Sequence, residues 1–373
     1  MLKVAIPITG KDEYKALKQV IYSGKFVSGK IVKKFEGEYA KFIGTKYAVA
    51  LNSGTAALHA ALSSLGLKKG DEVIVPAISF VSSATAVLHQ GCKPVFCDVD
   101  ISNYCMCPES FKKKITKKTK AVIPVHFTGS SCDMPKILKI AKKKNIKVIE
   151  DCAQAHGTKL LGKSVGTFGD ASCFSFYATK HMTTGEGGIL CTNSKKIYDF
   201  CKSFRSHGLV DRDTHKFLGY NYRMGELNAA IGRVQLKKIK KFNSKRIKNS
   251  IYLINKLKKH KNHGKLFEVQ KPKKQVYHTY FWCPIRILKN LKLQTIKNKL
   301  KKRGIEIRSR YKYPLYKQKV FQDLKTKNSQ NYQKLHLPNA EKLSGKIFGL
   351  PNHYKLKKQN LDYIIKIVGN LFE

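Results

Sequence analysis

The stretch that most constrains this chain is residues 147–190, KVIEDCAQAHGTKLLGKSVGTFGDASCFSFYATKHMTTGEGGIL. It opens on a buried-strand pattern, Val148-Ile149, that runs into two acids, Glu150 and Asp151. A second apolar run, Cys173-Phe174-Ser175-Phe176, leads to Lys180 and then to Thr-Thr-Gly-Glu-Gly-Gly. Short, wholly apolar strands belong in a sheet covered on both faces. In such sheets functional side chains gather at the carboxyl ends of strands, and Asp151 and Lys180 both lie just past such an end. The flanking chain repeats the theme. Strand patterns at 47–51, 72–75, 94–98, 121–125 and 188–192 alternate with helical patterns at 11–23, 31–43, 56–65, 78–88, 108–118 and 134–144. The alternation predicts an α/β fold built on a large, mostly parallel sheet covered by helices.

At 373 residues the chain exceeds one ordinary domain. A Lys-rich helix near 241–250 marks a boundary, giving a large domain at 1–245 and a small α+β domain at 246–373. The small domain holds a strand at 280–285, a basic helix at 292–302, an edge strand at 305–307 and a C-terminal helix at 358–372. No run reaches the roughly 18 apolar residues of a membrane helix, and the N-terminus does not read as a signal peptide. A cytoplasmic protein with no membrane partner is the expectation. The ten cysteines form no CxxC pair, so buried free thiols and no metal site are expected.

The net charge of +49 suggests a polyanion partner, but only nine of the 73 basic residues are Arg. Readers of phosphate and bases favour the planar guanidinium fork. The lysines are also spread along the whole chain, as solvated faces would be. Non-specific adhesion to nucleic acid at low salt follows from the charge; a specific nucleic-acid partner does not.

An acid and a lysine past neighbouring strand ends suit pyridoxal phosphate (PLP). That cofactor takes a lysine as Schiff-base partner and a carboxylate to keep its ring nitrogen protonated. Upstream, the strand 47–51 runs through Asn52-Ser53-Gly54-Thr55 into a helix, an arrangement whose free backbone N–H groups suit an anion.

The pattern D-x-A-Q-A-H-G followed by F-S-F-x-x-x-K-x-x-T-T-G-E-G-G resembles the DegT/StrS family of sugar-nucleotide aminotransferases. Gly219-Tyr-Asn-Tyr-Arg-Met resembles the family's G-x-N-Y-R-M segment, and the likeness extends over nearly the whole chain. The resemblance implies PLP fold type I, like aspartate aminotransferase, and a homodimer with active sites at the interface. It implies Lys180 as Schiff-base residue and proton shuttle, and Asp151 as partner of the ring nitrogen. Gly54, Thr55, Ala56 and Ser175 would hold the phosphate, Phe80 would stack on the ring, and Ala153 would cover its other face. Gln154 would meet the ring hydroxyl, and Asn221 would reach the partner's cofactor phosphate. Arg223, Arg308 and Tyr311 are candidates for substrate contact. His181 stands where the family often has Asn, Thr128 where it usually has an aromatic, and Tyr316 where it has His; each departure bears on the substrate side. His156, His181 and Glu186 receive no role.

T-T-G-E-G-G resembles the branch that aminates C4 of nucleotide-linked 4-keto-6-deoxy sugars from L-glutamate for glycan synthesis. A UDP-linked, viosamine-type product is slightly favoured over a GDP-linked, perosamine-type one, with dTDP also open. Amination at C3, or a non-catalytic polyanion-binding or regulatory role on the same scaffold, are the alternatives. The related PLP-dependent sugar dehydration replaces the Schiff-base lysine, and Lys180 speaks against it.

Overall fold

The computed structural model describes residues 1–270, 273–289, 291–323 and 332–371. Its centre is a seven-stranded sheet. In chain order the strands are β1 (Tyr47–Leu51), β2 (Glu72–Pro76), β3 (Lys93–Cys97), β4 (Thr119–Val122), β5 (Lys147–Asp151), then β8 (Ala171–Ser175) and β9 (Gly188–Thr192). Between them a short hairpin, β6 (Lys159–Leu160) and β7 (Lys163–Ser164), projects from the loop. The spatial order is β1-β9-β8-β5-β4-β2-β3. β9 pairs antiparallel with β1 and β8, and the other pairings are parallel. Val73, Ile74 and Val75 of β2 are wholly buried, as expected of a strand covered on both faces.

Helices α1 (Lys11–Ser23), α2 (Lys30–Ile43), α3 (Gly54–Ser63), α4 (Ser82–Leu88), α5 (Pro108–Lys113), α6 (Met134–Lys143) and α7 (Lys195–Phe204) surround this sheet. α2 buries Val32, Phe35, Tyr39 and Ile43, a stripe at helical spacing. It stops at Gly44, whose φ of 95° suits a residue without Cβ.

α8 (Glu226–Lys258) runs unbroken for 33 residues. Its last turns, with Leu253, Ile254 and Leu257, enter a second core. That core forms on a sheet of β10 (Phe267–Val269), β12 (Cys283–Ile287) and β13 (Ile347–Leu350), flanked by α9 (Leu293–Lys302) and α12 (Lys358–Asn370). Two segments from this half return to the first: β11 (Val276–Tyr277) pairs with β6. Leu315, Tyr316, Phe321, Leu337, Ala340 and Leu343, from the stretch containing α10 (Lys319–Gln322) and α11 (Pro338–Leu343), join the large core.

Element boundaries differ from expectation where side chains intervene. α3 begins two residues early because Ser53 Oγ accepts the Ala56 N–H at 3.1 Å and caps it. α5 ends at Lys113 rather than 118, since Thr116 Oγ1 donates to Glu72 at 2.5 Å and turns the chain into β4. β4 stops at Val122, two residues before Pro124, which has no N–H to give. The expected edge strand 305–307 is reduced to one bridge, Leu2 with Ile305. Residue 372 of the expected C-terminal helix lies outside the described residues.

Candidate active site

Where β5 and β8 end against the start of α3, the structure has a cavity of about 320 Å³. Its wall includes Gly54, Thr55, Phe80, Asp151, Ala153, Gln154, Ser175, Lys180, Arg308 and Tyr311, drawn together from four distant stretches of chain. Ala56, Asn221 and Arg223 are not in it. The Ala56 N–H is engaged by the Ser53 cap. Arg223 pairs its backbone with Leu51, and Asn221 is exposed to solvent.

The Ser53-Gly54-Thr55 turn opens α3 toward the cavity, and first-turn N–H groups have no partner within the helix. A Cβ on Gly54 would come within 2.8 Å of Ser175 Cβ, so only glycine lets the turn and the end of β8 approach this closely. Asp151 is nearly buried. Its Oδ1 accepts the Ala153 N–H at 3.0 Å and its Oδ2 the Ser83 hydroxyl at 2.8 Å. Gln154 is held from both ends of its amide: Oε1 accepts the Thr128 N–H at 3.0 Å, and Nε2 donates to Tyr311 Oη at 3.3 Å.

Lys180 rides on a loop shaped by the residues that follow it. Thr183 Oγ1 donates to the Phe176 carbonyl at 3.0 Å, and the Thr184 hydroxyl donates to the Glu186 carbonyl. Gly185 and Gly187 take φ of 82° and 153°, values that side-chain-bearing residues rarely adopt. Thr-Thr-Gly-Glu-Gly-Gly is therefore the clasp that aims the lysine. Lys180 Nζ lies 5.0 Å above the Phe281 ring, with the Arg308 guanidinium 4.7 Å from the same ring. Burial, together with Arg308 and Arg310, lowers its ammonium pKa to about 8 against the pull of Asp151. A lysine so placed is a neutral nucleophile within reach of ordinary pH.

The wall also contains residues that the sequence reading passed over. Arg310 stands two residues from Arg308 in Arg-Ser-Arg, a period-two spacing that signals a shared face. Ser79 and Phe281 carry no local signal. Glu186, given no role, lines the cavity. His156 and His181 do not; both are buried behind the lysine loop with ring centres 5.5 Å apart. Burial pushes both imidazoles down, His156 to about 3. The departures from the family pattern also resolve. Tyr316 points into the core, donating to Glu341 Oε1 at 2.6 Å, and Thr128 Oγ1 is buried against the Phe127 carbonyl at 2.7 Å.

Beneath the site, ligand atoms of His126, Glu150 and Cys152 lie within 4.8 Å of one another. The lone pairs of His126 and Glu150 are already used. His126 Nδ1 accepts the Cys132 N–H at 3.2 Å, so its proton sits on Nε2 and is donated to Glu150 Oε2 at 3.0 Å. Glu150 also accepts from Gly166, Phe168 and Gly169 N–H. Burial and the neighbouring Glu150 hold the Cys152 thiol in its protonated form. The cluster ties the 166–169 turn to the end of β5, next to Asp151.

Residues 7–369 match the DegT/DnrJ/EryC1/StrS aminotransferase family, and the chain belongs to it. It is 40% identical to GDP-perosamine synthase of Escherichia coli O157:H7 over 370 residues, covering 98% of this chain and 96% of that one. UDP-N-acetyl-3-dehydro-alpha-D-glucosamine 3-aminotransferase of Acidithiobacillus ferrooxidans is 32% identical, covering 94% and 91%. Among solved structures, Helicobacter pylori PseC, an aminotransferase of pseudoaminic acid biosynthesis, superposes with a TM-score of 0.92 at 29% identity over 100% and 99% of the two chains. GDP-4-keto-6-deoxymannose-3-dehydratase with a trapped PLP-glutamate geminal diamine does so with a TM-score of 0.89 at 30% identity, covering 100% of both. The chain is a PLP-dependent sugar-nucleotide aminotransferase of the α/β, fold type I class. The cavity fits that cofactor: an anion-ready turn that a Cβ would block, a buried carboxylate and a nucleophilic lysine face one space. No helix among the described residues is long and apolar enough to cross a membrane.

Proposed function

We propose that this protein moves the amino group of L-glutamate onto C4 of a GDP-linked 4-keto-6-deoxy sugar, giving a perosamine-type product. The observation that carries the reading is Lys180 and Asp151 facing one cavity with the Gly54 turn. The slight preference for UDP gives way because GDP-perosamine synthases of two organisms share 40% and 36% identity with the chain. A C3-aminating relative at 32% identity keeps that regiochemistry as the second reading.

Bound PLP supplies an electron sink and an amino-group carrier. The chain's residues do the rest. Lys180 Nζ, made a weak base by its surroundings, takes and returns the substrate proton. Asp151 would face the ring nitrogen; Gly54, Thr55 and Ser175 would hold the phosphate by N–H and hydroxyl groups. Phe80 and Ala153 would bracket the ring, and Gln154 would meet its hydroxyl. Arg308, Arg310 and Tyr311 line the open side, where an anionic nucleotide sugar would enter. Asn221, exposed on its own chain, reaches the partner's site in a homodimer. We further propose that 1–245 and 246–373 act as the large and small domains, with residues 276–277, 315–323 and 332–343 reaching back across the division.

The test is an absorbance titration. PLP-loaded protein should show a visible band that glutamate converts to a pyridoxamine band. GDP-4-keto-6-deoxymannose should restore the visible band, and the UDP-linked 4-keto and 3-keto sugars should not. NMR of the product then assigns C4 or C3. Restoration by the 3-keto sugar alone would overturn the C4 reading.

A further inference from the structure

We propose that Ser83, backed by Ser79, is the positioning residue of Asp151, the two hydroxyls and the carboxylate forming one directed chain from the cavity wall to the end of β5. The inference rests on the reading of Asp151 as partner of the ring nitrogen. Ser79 Oγ lies 2.7 Å from Ser83 Oγ, and Ser83 Oγ lies 2.8 Å from Asp151 Oδ2. Ser79, Ser83 and Asp151 are 3%, 0% and 4% exposed, so water does not compete with these bonds.

The direction follows from counting hydrogens. A serine hydroxyl has one to donate. Ser83 gives its hydrogen to the carboxylate, so Ser79 donates to Ser83. With the Ala153 N–H on Oδ1, each carboxylate oxygen has one protein donor, and the two donors come from different elements, α4 and the turn after β5.

That double hold has a purpose in this cavity. The terminal torsion of an aspartate is intrinsically broad. Lys180, Arg308 and Arg310 all face the same space, and Glu186 is the other acid in its wall among the described residues. Asp151 already acts on the Lys180 ammonium, favouring its charged form. A carboxylate free to turn would be drawn to these cations and away from a ring nitrogen. Ser83 removes that freedom without adding charge. It sits 68 residues from Asp151 in the chain, inside a stretch that reads as a small-residue helix.

The experiment uses holoenzyme loaded with PLP labelled with ¹⁵N at the ring nitrogen, whose resonance separates protonated from unprotonated ring. Wild type should give the protonated signal, and Asp151→Asn the unprotonated one. Ser83→Ala should fall between them and slow the glutamate half-reaction roughly ten-fold, the loss of one hydrogen bond to a charged group. Ser83→Thr should restore both readouts, which a packing role alone would not require. Wild-type signal and rate in Ser83→Ala overturn the proposal. A wild-type signal in Asp151→Asn instead overturns the reading of Asp151. Should Ser83→Ala fail to fold, Ser79→Ala decides: it must move the resonance in the same direction by a smaller amount, and an unmoved resonance overturns the proposal.

Discussion

Lys180 shows how much a residue depends on what encloses it. In solution its ammonium would resist deprotonation near neutral pH. Here burial, Arg308 and Arg310 lower its pKa to about 8. The neutral, reactive form therefore grows in as pH rises through about 8, not through the ordinary lysine range. Stopped-flow loading of PLP onto apoprotein should show a rate that climbs between about pH 7 and 9 and then levels; a climb continuing beyond pH 10 would contradict the placement of those cations. Tyr316 makes the opposite point. It stands where the family has a substrate-side His, yet its ring is buried and its hydroxyl serves Glu341. Tyr316→Phe should cost about 1 kcal/mol of stability in denaturant titration and leave the KM for the nucleotide sugar within about two-fold.

At the scale of elements, the site is made by the ends of strands and by what anchors those ends. Glu150 accepts three backbone N–H groups from the 166–169 turn and the His126 proton. Glu150→Gln replaces one accepting oxygen with a donor and faces N–H against N–H. A loss of about 2–4 kcal/mol is expected from equilibrium unfolding, with weaker PLP retention because Asp151 is the next residue. Gly54→Ala forces Cβ within 2.8 Å of Ser175, so PLP affinity measured by fluorescence should fall at least ten-fold while the fold survives. Strand and helix types were legible from periodicity. Boundaries moved wherever a side chain captured backbone groups, as Ser53 does at α3 and Thr116 after α5, because such captures depend on groups brought close only by folding.

At the scale of the molecule, α8 packs Ala229 and Ile239 into a core shared with Val32 and Phe35 of α2 and carries the chain from there into the second core. Asn221 lies just before it, on a segment pinned to β1 by the Leu51–Arg223 bridge, and turned out to solvent. If that side chain completes a partner's site, each subunit supplies part of two sites. Mixing inactive Lys180→Ala and Asn221→Ala proteins, after mild dissociation, should then recover activity, since one site in each hybrid would be intact. No recovery despite hybrid formation by native mass spectrometry would place Asn221 outside the site.

The sequence by itself determined the fold class, and its strand-end motifs singled out Lys180, Asp151 and the Ser53-Gly54-Thr55 turn, which the structure brings to one cavity, because such motifs are local and their residue types are spelled out in adjacent positions. Gln154, Ser175 and Thr55 came from the family resemblance, and they too line that cavity. Only the tertiary structure decided that Arg310, Phe281, Ser79 and Ser83 share that space, that Ala56 is spent on a helix cap, and that Tyr316 and His181 face the core. Those facts turn on burial and on hydrogen bonds between residues tens to hundreds of positions apart, and nothing in a local pattern says which distant group will take a given donor or cover a given side chain.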